Sequence, residues 1–191
     1  FAKLNNLKNL LGKSYIATLN VSEPSIENGE SFLNEIINIG KKHNINPNSL
    51  YLELTAKGDR GISRFVKNAL NLGFNIAIDD FGSENFTISK LRYKVLRKVD
   101  PQLLNKIKVK IDRSFIINIM DTNIKDGAID QAFIDMAIVV QQAYPGISLV
   151  AEGVETKEVL TYLKNKNFSY GQGYYWSKPA LLTENYIQPE L

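Results

Sequence analysis

The chain has no cysteine and a single histidine among its 191 residues. The first absence excludes disulfides, thiolate metal centres and cysteine nucleophiles, and it fits a cytoplasmic protein. The second excludes a histidine-rich phosphohydrolase site and any confident Ser-His-Asp triad. His43 itself lies in Lys41-Lys42-His43-Asn44 and reads as a surface residue at a helix end. No run approaches the roughly 18 uninterrupted apolar residues of a membrane helix, and no secretory leader is visible, so no membrane segment is expected. Strong charge is lacking too: the net charge is +3. The basic stretch Lys90-Leu91-Arg92-Tyr93-Lys94-Val95-Leu96-Arg97-Lys98 reads as a solvated helix face. It lacks the interleaved stacking aromatics of a nucleic-acid platform, so no specific nucleic acid is expected as a partner. The sequence opens on Phe1 rather than methionine, which suggests a piece of a longer protein.

What is present is a rhythm of short apolar segments, each with a polar group at or near its C-terminal end. They are Ile16–Asn20, Tyr51–Thr55, Ile76–Asp80, Val109–Asp112, Leu149–Glu152 and Tyr170–Gln172. From Asn20 the steps are 33 residues to Glu53, 26 to Asp79, 31 to Lys110, 42 to Glu152 and 20 to Gln172. Each step suits one βα unit, so the polar groups would converge at the C-terminal mouth of a parallel barrel. Carboxylates joined by one Asn, one Lys and one Gln make a hard-cation site suited to phosphate chemistry.

Helical periodicity fills the intervals. Phe32, Leu33, Ile36, Ile37 and Ile39 line the first helix, with Ser31 as its cap. Ile62, Phe65, Val66, Ala69, Leu70 and Leu72 line the next, which stops at Gly73. Further helices are expected over 85–98, 125–143 and 156–166. With 44% apolar residues the chain can bury one substantial core, so residues 1–191 read as a single α/β domain. A closed (β/α)8 barrel of the TIM type needs about 250 residues, and this chain holds about six units. The barrel is therefore expected to be incomplete, with free strand edges near Ile16–Val21 that invite a homodimer or a partner's strands.

Each residue also has a plain reading. Asn20 alone suits a turn, given Ser22 and Pro24 beyond it. Asp79-Asp80-Phe81-Gly82 alone suits a turn, Lys110 a structural ion pair, Glu152 and Glu155 the N-terminal charges of a helix. Glu53 is harder to dismiss, because an unpaired carboxylate inside an apolar run is expensive. Adjacent acids at 79 and 80 repel, which calls for a cation or a raised pKa.

Taken in order, the motifs resemble a known family. Leu19-Asn20-Val21-Ser22, Glu53-Leu54-Thr55, Asp79-Asp80-Phe81-Gly82, Lys110-Ile111-Asp112-Arg113-Ser114-Phe115, Ala151-Glu152-Gly153-Val154-Glu155 and Gln172-Gly173-Tyr174 are similar to those of EAL-domain phosphodiesterases, which hydrolyse cyclic di-GMP to linear pGpG. The resemblance implies a two-metal site holding Mg²⁺ or Mn²⁺. Asn20, Glu53, Asp79, Asp80 and Glu152 would be its ligands, with Asp79 as the bridge. Lys110 would offset charge in the transition state and Glu152 would also take a proton from the attacking water. Asp112, Glu155 and Gln172 would orient ligands, and an upstream sensory or cyclase domain would be a natural partner.

Two departures count against full activity. The Glu-Ala-Leu tripeptide, whose Glu would ligate a metal on a strand before the Asn strand, is absent from the chain. Ala56 stands where the resemblance implies a Glu that holds the loop after Asp79-Asp80, and that loop reads Ser83-Glu84-Asn85. An impaired phosphodiesterase is therefore expected. The rivals are an inactive domain that binds cyclic di-GMP or a protein partner, and a barrel enzyme using Lys110 as a Schiff base.

Overall fold

The computed structural model describes residues 16–55, 58–121 and 126–179. Ala56 falls outside them. Six strands, β1 (Ala17–Val21), β2 (Leu50–Leu54), β3 (Asn75–Phe81), β4 (Ile107–Ile111), β5 (Ser148–Glu152) and β6 (Tyr170–Gln172), form one parallel sheet in sequence order. Parallel neighbours need crossovers. All but the one between β3 and β4 are supplied by α1 (Glu23–Glu27), α2 (Gly29–Lys42), α3 (Ile62–Asn71), α4 (Asp126–Ala143) and α5 (Lys157–Asn165). Among the described residues no helix is long and apolar enough to cross a membrane.

Side-chain alternation along the strands separates two faces. On β2, Leu50, Leu52 and Leu54 are at most 1% exposed and enter the core, while Tyr51 and Glu53 take the other side. The core joins them to Ile62, Phe65, Val66 and Leu70 of α3 and to Leu33 and Ile36 of α2. The other face is concave. Lys108 of β4 lies 4.6 Å from the ring of Tyr51 on β2 and 4.0 Å from that of Tyr170 on β6. Those strands stand two places away on either side, about 10 Å each in a flat sheet. One side chain reaches both because the sheet curls into part of a barrel.

Two local expectations are corrected. Helix α2 begins at Gly29 after Asn28, so Ser31 lies inside it rather than capping it, and α1 precedes it with Pro24 in its first turn. The helix expected over 85–98 is broken. A turn at Ile88–Lys90 leads into a π-helical segment at Leu91–Val95 and a 3₁₀ turn at Leu96–Lys98. The wider winding lets Leu91, Val95 and Leu96 all face the core. Lys90, expected in solvent, is buried.

Candidate functional site

The four central site residues arrive on strand ends. Register pairs Asn20 with Glu53 and Glu152 with Gln172, so each pair sits at one level of the mouth. On β3 the pairing with β4 jumps from Ile78–Val109 to Phe81–Ile111, leaving two residues of β3, Asp79 and Asp80, where β4 has only Lys110. On a regular strand, consecutive side chains would point to opposite faces. The bulge, with Asp80 in the left-handed region at φ 51°, turns both carboxylates toward one place. Gly82 follows at φ 104°, and a side chain there would strike the rings of Phe133 and Phe115. Ser83 N–H closes the turn on the Asp80 carbonyl at 3.0 Å.

Lys110 is the centre of the cluster. Its Nζ donates to Glu53 Oε1 at 2.6 Å and Asp79 Oδ1 at 2.8 Å, and pairs with Glu152 Oε1 at 2.7 Å. None of these four side chains is more than 15% exposed. Burial alone would depress Lys110, but its bonds to Asp79, Glu152 and Glu53 outweigh that and hold the ammonium well above the ordinary lysine range. A Schiff base needs a neutral amine, so this environment argues against that role for Lys110. Burial, with Asp79 close by, holds the carboxyls of Glu53 and Glu152 above the usual range even against Lys110. Asp80 is raised too, by burial, Asp79 and Asp112. One ammonium cannot neutralise four acids, and the surplus negative charge falls on the carboxylates.

Asp79, Asp80 and Glu152 can each offer an oxygen such that all three lie within 4.8 Å of one another. An all-oxygen donor set with surplus charge fits a hard divalent cation. Asn20 and Gln172 lie at the same level but are exposed, at the two ends of the strand order. Asp112 caps the turn Arg113–Phe115, its Oδ1 accepting from Ser114 N–H at 2.7 Å. Glu155 is drawn away by Arg113, Nη2 to Oε1 at 2.6 Å, across Gly153 at φ 72°. A Cβ on Gly153 would meet the Arg113 stem, so this crossing requires glycine. Sequence reading gave Arg113 no role. The only available hint was a cation beside Asp112 and an acid beside Gly153.

The EAL domain model matches residues 1–179. The chain belongs to the EAL domain family. A curated relative, the probable cyclic di-GMP phosphodiesterase PdeG of Escherichia coli K12, is 29% identical over 93% of this chain and 32% of its own length. The chain thus spans about a third of that relative. A standalone EAL protein of Vibrio cholerae O395, solved with cyclic di-GMP bound, superposes with a TM-score of 0.72 at 25% identity, covering 94% of this chain and 71% of that one. Klebsiella pneumoniae BlrP1, in a complex with manganese and cyclic di-GMP, shares the fold at a TM-score of 0.72 and 24% identity, over 93% and 43% of the two chains. Among the described residues, six parallel strands form the curled part-barrel that the strand rhythm predicts, and these EAL neighbours share its fold.

Proposed function

We propose that this chain, as one EAL domain over 1–191, carries a metal-dependent cyclic di-GMP phosphodiesterase site that forms linear pGpG. The convergence of Asp79, Asp80 and Glu152 around Lys110 carries the reading. Asn20, Glu53, Asp79, Asp80 and Glu152 would hold two Mg²⁺ or Mn²⁺ ions, with Asp79 shared. Bound there, the ions would supply Lewis acidity for attack on the phosphodiester. The residues do the rest. Lys110 stays protonated among its acids and offers an ammonium where negative charge develops on phosphate. Glu152, raised toward neutrality, can accept the proton of the attacking water. Asp112, Glu155 and Gln172 orient the groups around them, Glu155 through its tie to Arg113.

Hydrolysis by these 191 residues alone should be slow, because no Glu-Ala-Leu glutamate is among them to complete the ligand set. Among the described residues β1 and β6 are the outermost strands of the sheet, and such edges suit strands supplied by a second copy or by an upstream sensory or cyclase segment. The working compartment under this reading is the cytoplasm. A second reading, binding of cyclic di-GMP or a protein partner without chemistry, is favoured by the missing Glu-Ala-Leu tripeptide and by Ala56 in place of a glutamate.

The deciding experiment is incubation with cyclic di-GMP and Mn²⁺ or Mg²⁺, product chromatography, and a parallel Glu53→Ala control. Product that vanishes in the variant supports the enzyme. Metal-independent binding by calorimetry with no product supports the binding module.

A further inference from the structure

The Lys90 ammonium is buried in a stretch that otherwise reads as a solvated basic face, its side chain only 7% exposed. Lysine stems are often covered, but a covered ammonium needs partners. Nζ donates to the Asn85 main-chain carbonyl at 2.9 Å, lies 3.4 Å from the Asp59 carboxylate and sits 5.1 Å above the Phe86 ring. Asp59 belongs to the loop between β2 and α3, whereas Asn85 and Phe86 end the turn that begins at Asp80. That turn is closed on itself: Ser83 N–H donates to the Asp80 carbonyl, Gly82 N–H to the Phe86 carbonyl at 3.1 Å, and Asn85 N–H to Ser83 Oγ at 3.2 Å. A displacement of Asn85 therefore passes directly to Gly82 and Asp80. A left-handed aspartate persists only where its surroundings over-determine it.

We propose that Lys90 is a positioning residue for the carboxylate site. By tying the turn at 83–86 to the Asp59 loop, it holds Asp80 in the conformation that sets its carboxylate beside Asp79 and Glu152. The benefit of that placement for a cation rests on the phosphodiesterase reading; the tie itself does not.

The test compares the 191-residue chain with K90M, K90R and D59N, by amide hydrogen exchange and by Mn²⁺ titration followed by electron paramagnetic resonance. Met keeps the packing over Phe86 but loses the charge. In K90M, exchange at the Gly82 and Ser83 amides should accelerate about tenfold and Mn²⁺ affinity should fall about fivefold, the scale of one lost charge-assisted hydrogen bond. K90R should recover most of both. D59N, which alters a group 61% exposed, should accelerate the same two amides about twofold. Unchanged exchange at those amides in K90M overturns the proposal, as does equal acceleration at the β4 amides, which would mean a fold-wide role. If K90M does not fold, D59N decides: local acceleration supports the tie and its absence overturns it. A parent chain that binds no Mn²⁺ removes the phosphodiesterase reading, while exchange at Gly82 and Ser83 still decides the role of Lys90.

Discussion

Lys108 and Lys110 stand one pleat apart on β4 and face the same concavity, yet their environments differ in kind. Lys108 lies between the rings of Tyr51 and Tyr170, and burial depresses its pKa. Lys110 is pulled toward protonation by three carboxylates that outweigh a burial cost of the same sign. Burial therefore does not distinguish the two layers; the partners do. The lower layer is aromatic and tolerates one cation through ring faces. The upper layer holds more negative charge than its lysine can neutralise, and there a further cation would be welcome.

The largest expected effect comes from breaking the upper layer at its centre. Lys110→Met leaves Glu53, Asp79 and Glu152 facing one another, which should cost about 3 kcal/mol of metal-free stability. Hydrolysis should fall about 100-fold or more through the lost ammonium. Urea denaturation with and without Mn²⁺ checks the first effect, and saturating metal should restore part of the loss. Equal destabilisation by Lys108→Met would erase the distinction between the layers.

Glu152→Gln tests the same layer from the acidic side, and here the sign is informative. The carboxyl is raised in the folded chain, so removing its charge should leave metal-free stability level or slightly higher. Mn²⁺ affinity, by contrast, should drop about tenfold with the lost ligand. A variant that loses stability and keeps affinity would mark Glu152 as a purely structural ion-pair partner.

The pH dependence follows with a smaller amplitude. Glu53, Asp80 and Glu152 all have raised pKa values in the fold, so folding takes up protons. Their contribution is fully present below the ordinary carboxylate range, about pH 4, and is lost as pH rises through the higher folded values. Lys110, also raised, keeps its contribution until well above that range. Metal-free stability should therefore decline from this cluster as pH rises above about 4, and Glu53→Gln/Glu152→Gln should flatten the decline. Excess Mn²⁺, which favours the ionised acids, should reverse it. An identical pH profile in the double variant would place the slope elsewhere in the chain.

The upper layer was legible in the sequence because a charge that ends an apolar run is costly unless something uses it. Glu53, Lys110 and Glu152 each stand out that way, and the strand ends they mark agree with the structure to within a residue or two. The convergence of Asp79 with Asp80 was implied by the family resemblance but not by strand periodicity, since it depends on a bulge that only the register with β4 reveals. Lys90 was misread because its neighbours Arg92 and Lys94 are polar, and burial was decided by a π-wound turn that periodicity does not encode. Ser31 lost the cap because α2 starts two residues earlier, at a Gly29 packed closely against the Phe65 ring.

The smallest expected effect belongs to the lower layer. Lys108→Met keeps the apolar stem between Tyr51 and Tyr170 and removes only the attraction of an ammonium for two ring faces, about 1 kcal/mol or less at a half-buried position. Relief of the burial that depresses Lys108 offsets part of that loss. Stability should thus change by less than about 1 kcal/mol, and Mn²⁺ affinity should stay within about twofold, since no carboxylate in the upper layer gains or loses a partner. Calorimetric unfolding and the same metal titration measure both quantities. A tenfold shift in affinity from Lys108→Met would mean that the two layers are coupled through β4, and that the tyrosine sandwich sets the height at which Lys110 meets its acids.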